Sequence, residues 1–250
     1  MTVEGADFMG NVEQISDRIT KMLLHEIQAG EFSESDSLPP EVELAERFGV
    51  SRNIVRECLA RLEREGWVTR KHGVGTLINK IVAQVSTRLD LNYELSQTLE
   101  LSGKRAGTSL GVSQTVGAGR ELAEYLKIAE GDPVLRVPRT ISADGKPAIF
   151  CVDYIAEKLI QNHSYTQADL EPPIFQFLER FCGAAVETNL AELRAMPLTE
   201  EAAGALNLPL TCALLFLGEV GFDLRSNPIL YSEEYFIDRV IRHMIVRKKI

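Results

Sequence analysis

Two arginines follow a serine that can cap a helix. Arg52 and Arg56 are four residues apart, directly after Ser51, so a helix beginning there places both guanidinium groups on one face. A guanidinium group can donate two hydrogen bonds to the O6 and N7 atoms of guanine, or bind a phosphate. The serine hydroxyl can also donate to a phosphate. The alternative is a solvated helix face on which the arginines pair with nearby acids.

The charge distribution favours a local rather than a global affinity for nucleic acid. The chain of 250 residues has a formal net charge of −9, which argues against indiscriminate binding by the whole molecule. Between Arg47 and Lys80, however, eight Lys or Arg residues stand against three acidic residues. This local excess is a plausible electrostatic footprint for a polyanion.

Helical patterns surround the arginine pair. Residues 11–30 have apolar residues at three- and four-residue spacing and end at Gly30, which predicts an amphipathic helix. A short second helix is predicted from Glu41 to Phe48, with Gly49 at its C-cap, and a third from Ser51 to the stop at Gly66. Two helices joined by a tight turn that contains glycine are typical of a helix-turn-helix.

A small hairpin is predicted directly after these helices. The runs 67–70 and 76–78 resemble short strands and flank the sequence KHGVG at 71–75, which carries two glycines. Trp67, between a helix stripe and a strand, is expected in the core. Helices and hairpin together predict a winged helix-turn-helix.

Residues 38–78, LPPEVELAERFGVSRNIVRECLARLEREGWVTRKHGVGTLI, resemble the GntR family of bacterial transcription regulators. The family pattern is roughly LPSERELA, GVSRxTVRxAL, GLV and GxGTFV. The resemblance implies that the reading helix contacts DNA and that the wing tip enters the minor groove. Three departures, Pro40, Val42 and Ile54, put the usual operator sequence in doubt. The expected DNA-binding residues are Ser51, Arg52, Asn53, Arg56, Lys71, His72 and Gly73.

The second half contains an internal repeat at an offset of about 80 residues. ELAEYLKIAEGDPVLRVPRTISADGKPAIFCVDYI, from Glu121, is similar to EAAGALNLPLTCALLFLGEVGFDLRSNPILYSEEYF, from Glu201. Each copy reads as a short helix followed by a β-hairpin. The segments 157–161 and 174–183 are predicted helices between the copies. The pattern predicts an α+β fold with an antiparallel sheet, helices on one face, and pseudo-twofold character.

This half is similar to the UTRA effector-sensing domain of the HutC branch of the GntR family, whose fold resembles chorismate lyase. The resemblance implies a small-molecule effector, and Arg139 matches a family arginine that often holds an anionic group. An anionic effector is therefore expected, although Ile141 stands where many relatives have a second basic residue. Equivalent positions in the two copies are candidates to line a shared pocket, although a repeated sheet edge explains them as well. The expected effector-binding residues are Arg139, Asp153, Tyr154, Glu234 and Tyr235.

These features predict a DNA-binding domain at 1–78, a linker containing a short helix at 79–106, and an effector and dimerisation domain at 107–250. The expected function is that of a homodimeric transcription regulator, most often a repressor in this family, that binds double-stranded operator DNA under metabolite control. No apolar run reaches the roughly 18 residues of a membrane span, and the N-terminus lacks a leader pattern. A cytoplasmic protein without membrane contact is expected.

Catalytic chemistry has little support in the sequence. GxSxG, HExxH and GxxxxGK[ST] motifs are absent, and the four histidines are scattered. Four cysteines without a CxxC pair are expected to be reduced, mostly buried thiols. No cofactor and no metal site is expected. An enzyme with a lyase-like domain fused to a DNA-binding head stays open as an alternative, and so does a constitutive DNA binder with an empty sensor.

Overall fold

The computed structural model describes residues 4–32, 34–85, 87–237 and 240–247, without the side chains of residues 4–14. It divides the chain into two compact units. One comprises the chain up to Leu91 and the segment that begins at Met244, and the other is Asn92–His243. The boundary between the two units, after Leu91, lies within the predicted linker 79–106. Met244 belongs to the first unit because it forms a parallel bridge with Arg88, whereas the sequence assigns 107–250 to the second domain.

Three helices form the frame of the N-terminal unit. They are α1 (Glu4–Ala29), α2 (Glu41–Phe48) and α3 (Arg52–Arg64). Helix α2 ends at Gly49, whose φ of 65° is the left-handed conformation expected of a glycine C-cap. Helix α1 begins earlier than the periodicity predicts. Its buried stripe is also narrower, because Ile15 and Met22 are exposed.

The core of this unit contains apolar side chains from all three helices and from the start of the hairpin. Leu44, Leu59 and Leu62 are completely buried, and Trp67 packs with them as predicted. Burial of one such leucine side chain contributes about 1.5–3 kcal/mol to folding. The core therefore holds α3 rigidly against α1 and α2.

The predicted winged hairpin is confirmed. Strands β1 (Val68–Lys71) and β2 (Gly75–Ile78) pair antiparallel, with Lys71 opposite Gly75. The short helix α4 (Lys80–Ala83) follows. The chain at 36–38 lies alongside β2, since the N–H group of Leu38 donates to the carbonyl of Thr76.

The C-terminal unit is built on an antiparallel sheet. In the described part of the chain its strands run in the order β3-β5-β6-β9-β8-β7, and β4 also pairs with β5. Their bounds are β3 (Ala106–Leu110), β4 (Gln114–Gly117), β5 (Pro133–Ala143), β6 (Lys146–Ala156), β7 (Thr188–Pro197), β8 (Ala213–Phe222) and β9 (Pro228–Phe236). The helices are α5 (Leu95–Leu101), α6 (Arg120–Leu126), α7 (Ile174–Phe177) and α8 (Glu200–Leu206).

The internal repeat of the sequence is a structural repeat. Helix α6 with the hairpin β5–β6 corresponds to helix α8 with the hairpin β8–β9, and the two hairpins join through β6 and β9. Both helices end on a left-handed residue, Lys127 at φ 50° and Asn207 at φ 55°. The two copies therefore have the same backbone conformation at their helix ends, as well as equivalent strands.

Helices cover both faces of the sheet, so the prediction of helices on one face is wrong. Helices α6 and α8 pack on one face, which we call the α6/α8 face. The opposite face, the α7 face, is covered by α7, the π-helical turn Leu178–Cys182 and the 3-10 turn Gln167–Leu170. The strands are buried on both sides because the segment inserted between the two copies folds back over the sheet.

Three of the four cysteines, Cys58, Cys151 and Cys182, are buried and Cys212 is partly buried; all four are free thiols. The expectation of reduced, mostly buried thiols is confirmed. None of the helices in the described residues combines the length and apolarity that a membrane span requires.

Lys127 provides a test of the shared helix ends. Because a side chain with a Cβ atom is strained at positive φ, Lys127→Gly should raise the free energy of unfolding by about 1 kcal/mol. Asn207→Gly should raise the free energy of unfolding by less, since asparagine tolerates this conformation. Chemical denaturation of both variants measures the difference. A destabilised Lys127→Gly protein would contradict a left-handed end at this helix.

Candidate functional site

Helix α3 presents the predicted polar residues on its exposed face. Ser51 caps the helix, with its Oγ accepting a hydrogen bond from the Ile54 N–H group at 3.4 Å. Arg52, Asn53 and Arg56 lie exposed on the first turns. The structure therefore brings these four residues together at the N-terminal end of α3, where backbone N–H groups also favour an anion.

One glutamate contacts both arginines. The Glu41 Oε2 atom lies 3.2 Å from Nε of Arg56 and 3.8 Å from Nη2 of Arg52. Each arginine side chain is nevertheless 62% exposed. Exposed ion pairs of this kind contribute only about 0–1 kcal/mol. Both guanidinium groups can therefore exchange Glu41 for an external partner.

The wing tip is open to solvent. Lys71, His72 and Gly73 are exposed. Gly73 has a φ of 76°, and a Cβ atom added there would have no neighbour within 4 Å. The base of the wing is held by Arg70, whose Nε donates to Glu63 at 2.7 Å. A partner could approach the tip without displacing protein atoms.

The three positions that depart from the family pattern lie around the same surface. Pro40 precedes α2 and makes no side-chain cap, and Val42 is 45% exposed where the pattern has arginine. Ile54 is partly buried on α3. Val42 is therefore an exposed apolar residue directly after Glu41, the partner of both arginines.

In the C-terminal unit, Arg139 is buried on the α7 face. Its Nη2 and Nε atoms donate to Asp153 Oδ2 at 2.6 and 3.2 Å, and its Nη1 atom donates to the Pro172 carbonyl at 3.3 Å. The Ser232 hydroxyl donates to the other oxygen of Asp153 at 2.6 Å. The neighbouring carboxylate of Asp153 raises the pKa of Arg139 against the opposing effect of burial.

The sheet brings together three of the five predicted effector residues. Arg139, Asp153 and Glu234 lie on the α7 face, where Glu234 pairs with Cys151 across the β6–β9 ladder. Tyr154 and Tyr235 lie on the α6/α8 face, because consecutive residues of a strand point to opposite sides. The two tyrosines are therefore separated from the other three residues by the sheet itself.

Two acidic residues join the three and were not predicted. Glu219 stands on β8 at the position that Arg139 holds in the first copy, so an extended comparison of the repeats could have found it. Glu94 directly precedes α5, inside the predicted linker, and no sequence signal marks it. We call Arg139, Asp153, Glu94, Glu219 and Glu234 the acidic cluster.

Burial shifts the titration of the carboxyl groups in this cluster. It raises the pKa of Glu94 to about 7, with the nearby Arg139 opposing the shift. Burial also raises the pKa of Glu219 and, more strongly, that of Glu234. Carboxyl groups whose pKa is raised by burial beside a specific charged partner are candidates for a functional site.

Two grooves open on the α6/α8 side of the unit. One, of about 400 Å³, lies beside β5 and is lined by residues that include Gly111, Arg136, Pro138 and Glu201. Arg136 is paired there with Glu201 at 2.5 Å. The other groove, of about 270 Å³, lies under α6 and contains Tyr154. In the described residues, no three His, Cys, Asp or Glu side chains are placed to hold a metal ion.

The titration of Glu94 makes the stability of the protein depend on pH. Between its ordinary pKa of 4.5 and about 7, the unfolded chain releases a proton that the folded chain retains. The contribution of Glu94 to the free energy of unfolding should therefore fall with rising pH, by about 3 kcal/mol. Glu94→Gln should remove this contribution and make the pH profile less steep.

Chemical denaturation from pH 5 to 8 measures the effect, and Glu100→Gln, an exposed site on α5, is the matched control. Parallel pH profiles for wild type and Glu94→Gln would contradict the assignment.

Known proteins resemble both units. Residues 15–78 match the family described as bacterial regulatory proteins, gntR family, and residues 101–239 match the UTRA domain. An uncharacterised HTH-type transcriptional regulator, RB1450 of Rhizobium meliloti (strain 1021), is 30% identical over 91% of each chain. The HTH-type transcriptional regulator TreR of Bacillus subtilis (strain 168) is 27% identical over 76% of this chain and 79% of its own.

The fold is shared with a solved structure. The possible transcriptional regulator YydK of Bacillus subtilis superimposes with a TM-score of 0.75 at 18% identity, over 94% of this chain and 99% of its own. The UTRA match spans more than half of the chain, and the gntR match covers the helices and the wing described above. The chain therefore belongs to the GntR family of bacterial transcription regulators, in its HutC-type form with a DNA-binding winged helix-turn-helix and an effector-binding UTRA domain.

Proposed function

We propose that this metabolite-responsive regulator is a homodimeric repressor that releases its operator when a small molecule binds the UTRA domain. The observation that carries the proposal is the exposed arginine pair at the capped start of α3, beside an open basic wing. A repressor acting on operator DNA would act in the cytoplasm. Selection of bound duplexes from a random library tests the proposal, since a dimer should enrich a palindrome.

The exposed residues of the N-terminal unit divide into base contacts and backbone contacts. We assign base reading in the major groove to Arg52, Asn53 and Arg56, because they point outward from the first turns of α3. Ser51 is assigned a phosphate contact. Lys71 is assigned a second phosphate contact, and His72 and Gly73 are assigned to the wing contact in the minor groove.

We assign effector binding to the acidic cluster on the α7 face. It holds Arg139, Asp153 and Glu234 of the predicted set, and omits Tyr154 and Tyr235, which line the other face. An effector that prefers the conformation unable to reach both half-sites lowers operator affinity, and operator DNA lowers effector affinity by the same factor. A useful switch needs about 1–3 kcal/mol of such coupling.

Strand β7 supplies a surface for a second copy of the chain. It is the last strand of the sheet, and in the described part of the unit its one strand partner is β8. An unpaired strand edge is a template for another strand. In an antiparallel pairing centred on Leu193, Glu192 of one copy would lie opposite Arg194 of the other, and opposite charges in such positions attract.

A catalytic role has no observation in its favour in the described residues. The relatives named above are regulators, and the strongly shifted carboxyl groups stand beside a buried ion pair rather than a nucleophile with its base. We therefore propose that the UTRA domain binds its ligand without turning it over.

Arg56 and Lys71 should affect operator binding in different ways. Arg56→Ala should weaken binding to the selected operator by about 1–3 kcal/mol and relax its sequence preference, because it removes a base contact. Lys71→Ala should weaken binding to all duplexes alike and lower the salt slope by about one, because it removes a phosphate contact. Fluorescence anisotropy at several salt concentrations measures both effects.

Arg120→Ala is the matched control, since Arg120 is an exposed arginine on α6 of the other unit. Equal losses on operator and random DNA for Arg56→Ala would contradict its role in reading bases.

Leu193 tests the proposed dimer. Leu193→Glu should raise the dissociation constant of the dimer about tenfold or more, because two like charges would face each other at the centre of the strand pair. Analytical ultracentrifugation measures this constant. Leu224→Glu is the control, since Leu224 is 83% exposed in the loop before β9. A dimer unchanged by Leu193→Glu would exclude pairing through this edge.

A further inference from the structure

The α7 face holds more hydrogen-bond acceptors than donors. Its only cation among the described cluster residues is Arg139, and all three guanidinium nitrogen atoms already donate to Asp153 and the Pro172 carbonyl. Glu94, Glu219 and Glu234 surround this pair without a cation of their own. Any further side-chain charge that the protein contributes to this site would therefore be negative.

Glu234 is the residue of this cluster that lacks a partner. It is 9% exposed, and its carboxyl group makes no hydrogen bond within the described residues. It stands between Asp153 and Glu219 on the sheet, diagonally across the ladders from each. Neither of its carboxyl oxygens is among the fully enclosed side-chain atoms without a hydrogen bond in the described residues, so an incoming donor can reach them. Polar groups of low exposure are usually hydrogen-bonded, and Glu234 is therefore expected to meet a donor in at least one functional state.

A second acceptor without a donor lies beside it. The Asn189 Nδ2 atom donates to Glu219 at 2.8 Å, which leaves its Oδ1 atom buried and without a hydrogen-bond partner. Gly221, the residue opposite Asn189 on β8, has no side chain to supply a donor. The site thus lacks donors at two independent positions.

We propose that the effector is a small organic cation whose protonated amine donates hydrogen bonds to Glu234 and Glu219. This inference rests on the proposed function of the acidic cluster and specifies the chemistry of its ligand. The amine supplies both the missing donors and the missing positive charge. An ammonium group hydrogen-bonded to a buried carboxylate is stronger than a neutral hydrogen bond.

The structure argues against the anionic effector that the sequence predicts. The anion-binding capacity of Arg139 is taken by Asp153, and the apolar Ile141 stands where a second basic residue would be needed. A carboxylate or phosphate would also face three acidic side chains. A metal ion is disfavoured too, since no three ligating side chains in the described residues converge on one point.

Binding of a cation should release a proton. Glu234 faces Arg139 on β5, Asp153 and the Cys151 thiol on β6, Glu219 on β8, and Glu94 before α5. Burial and these acids raise its pKa well above the ordinary value, with only Arg139 opposing them. In the ligand-free protein the raised pKa favours the protonated form of Glu234, whereas an incoming ammonium group favours its carboxylate. Affinity should rise with pH, by up to about tenfold per unit where binding releases one proton.

Three probes with the same four-carbon chain separate the alternatives. Isothermal titration of the full-length protein with putrescine, 1,4-butanediol and succinate compares a cation, a neutral molecule and an anion. Putrescine should bind, and the other two should bind at least about tenfold more weakly. Titration in two buffers of different ionisation enthalpy should show proton release for wild-type protein.

Glu234→Gln should weaken putrescine binding about tenfold or more and abolish the proton release. Glu233→Gln is the matched control, since the adjacent side chain lies on the α6/α8 face, and it should stay within about twofold of wild type. Thermal unfolding of both variants verifies that they are folded.

Binding of succinate in preference to putrescine, or no binding of putrescine to wild type, overturns the proposal. Operator binding, measured on the same preparation, separates this failure from failure of the proposed function. A protein that binds its operator but not putrescine refutes only the cationic effector. A protein that enriches no operator refutes the repressor itself.

Discussion

The antiparallel pairing of β6 with β9 is the contact on which the arrangement of the C-terminal unit depends. It joins the two helix-and-hairpin copies and sets Cys151 opposite Glu234 and Asp153 opposite Ser232. Because side chains alternate along a strand, this register places Asp153 and Glu234 together on the α7 face. A slip by one residue would turn every one of these strand side chains to the other face.

The same ladder creates an electrostatic imbalance inside the domain. Arg139 and Asp153 satisfy each other, and Ser232 completes the hydrogen bonds of the carboxylate. Such a pair contributes little net stability compared with apolar side chains of the same size. The additional burial of Glu219 and Glu234 reduces stability further unless they are protonated or meet a cation. Ligand binding and protonation are therefore alternative ways to neutralise one site.

In the N-terminal unit, a rigid core lies beneath a surface whose arginines form only weak, exposed ion pairs. Leu44, Leu59 and Leu62 fix α3, whereas the arginines above them share the single carboxylate of Glu41. One shared acid keeps both side chains near the position in which they would meet DNA. Because the ion pairs are exposed, exchanging them for phosphate or guanine loses little free energy.

The sequence by itself determined the helices of the N-terminal unit and the helix-and-hairpin pattern of each copy, because caps, glycine stops and periodicity act over a few residues. It determined the winged helix-turn-helix around Arg56, and the repeat that brings Asp153 and Glu234 to equivalent positions. Only the tertiary structure decided that helices cover both faces, and that Asp153 neutralises Arg139. It also decided that Glu94 joins the cluster, from a segment that reads as a linker. These features depend on contacts between residues far apart in the chain, which no local pattern encodes.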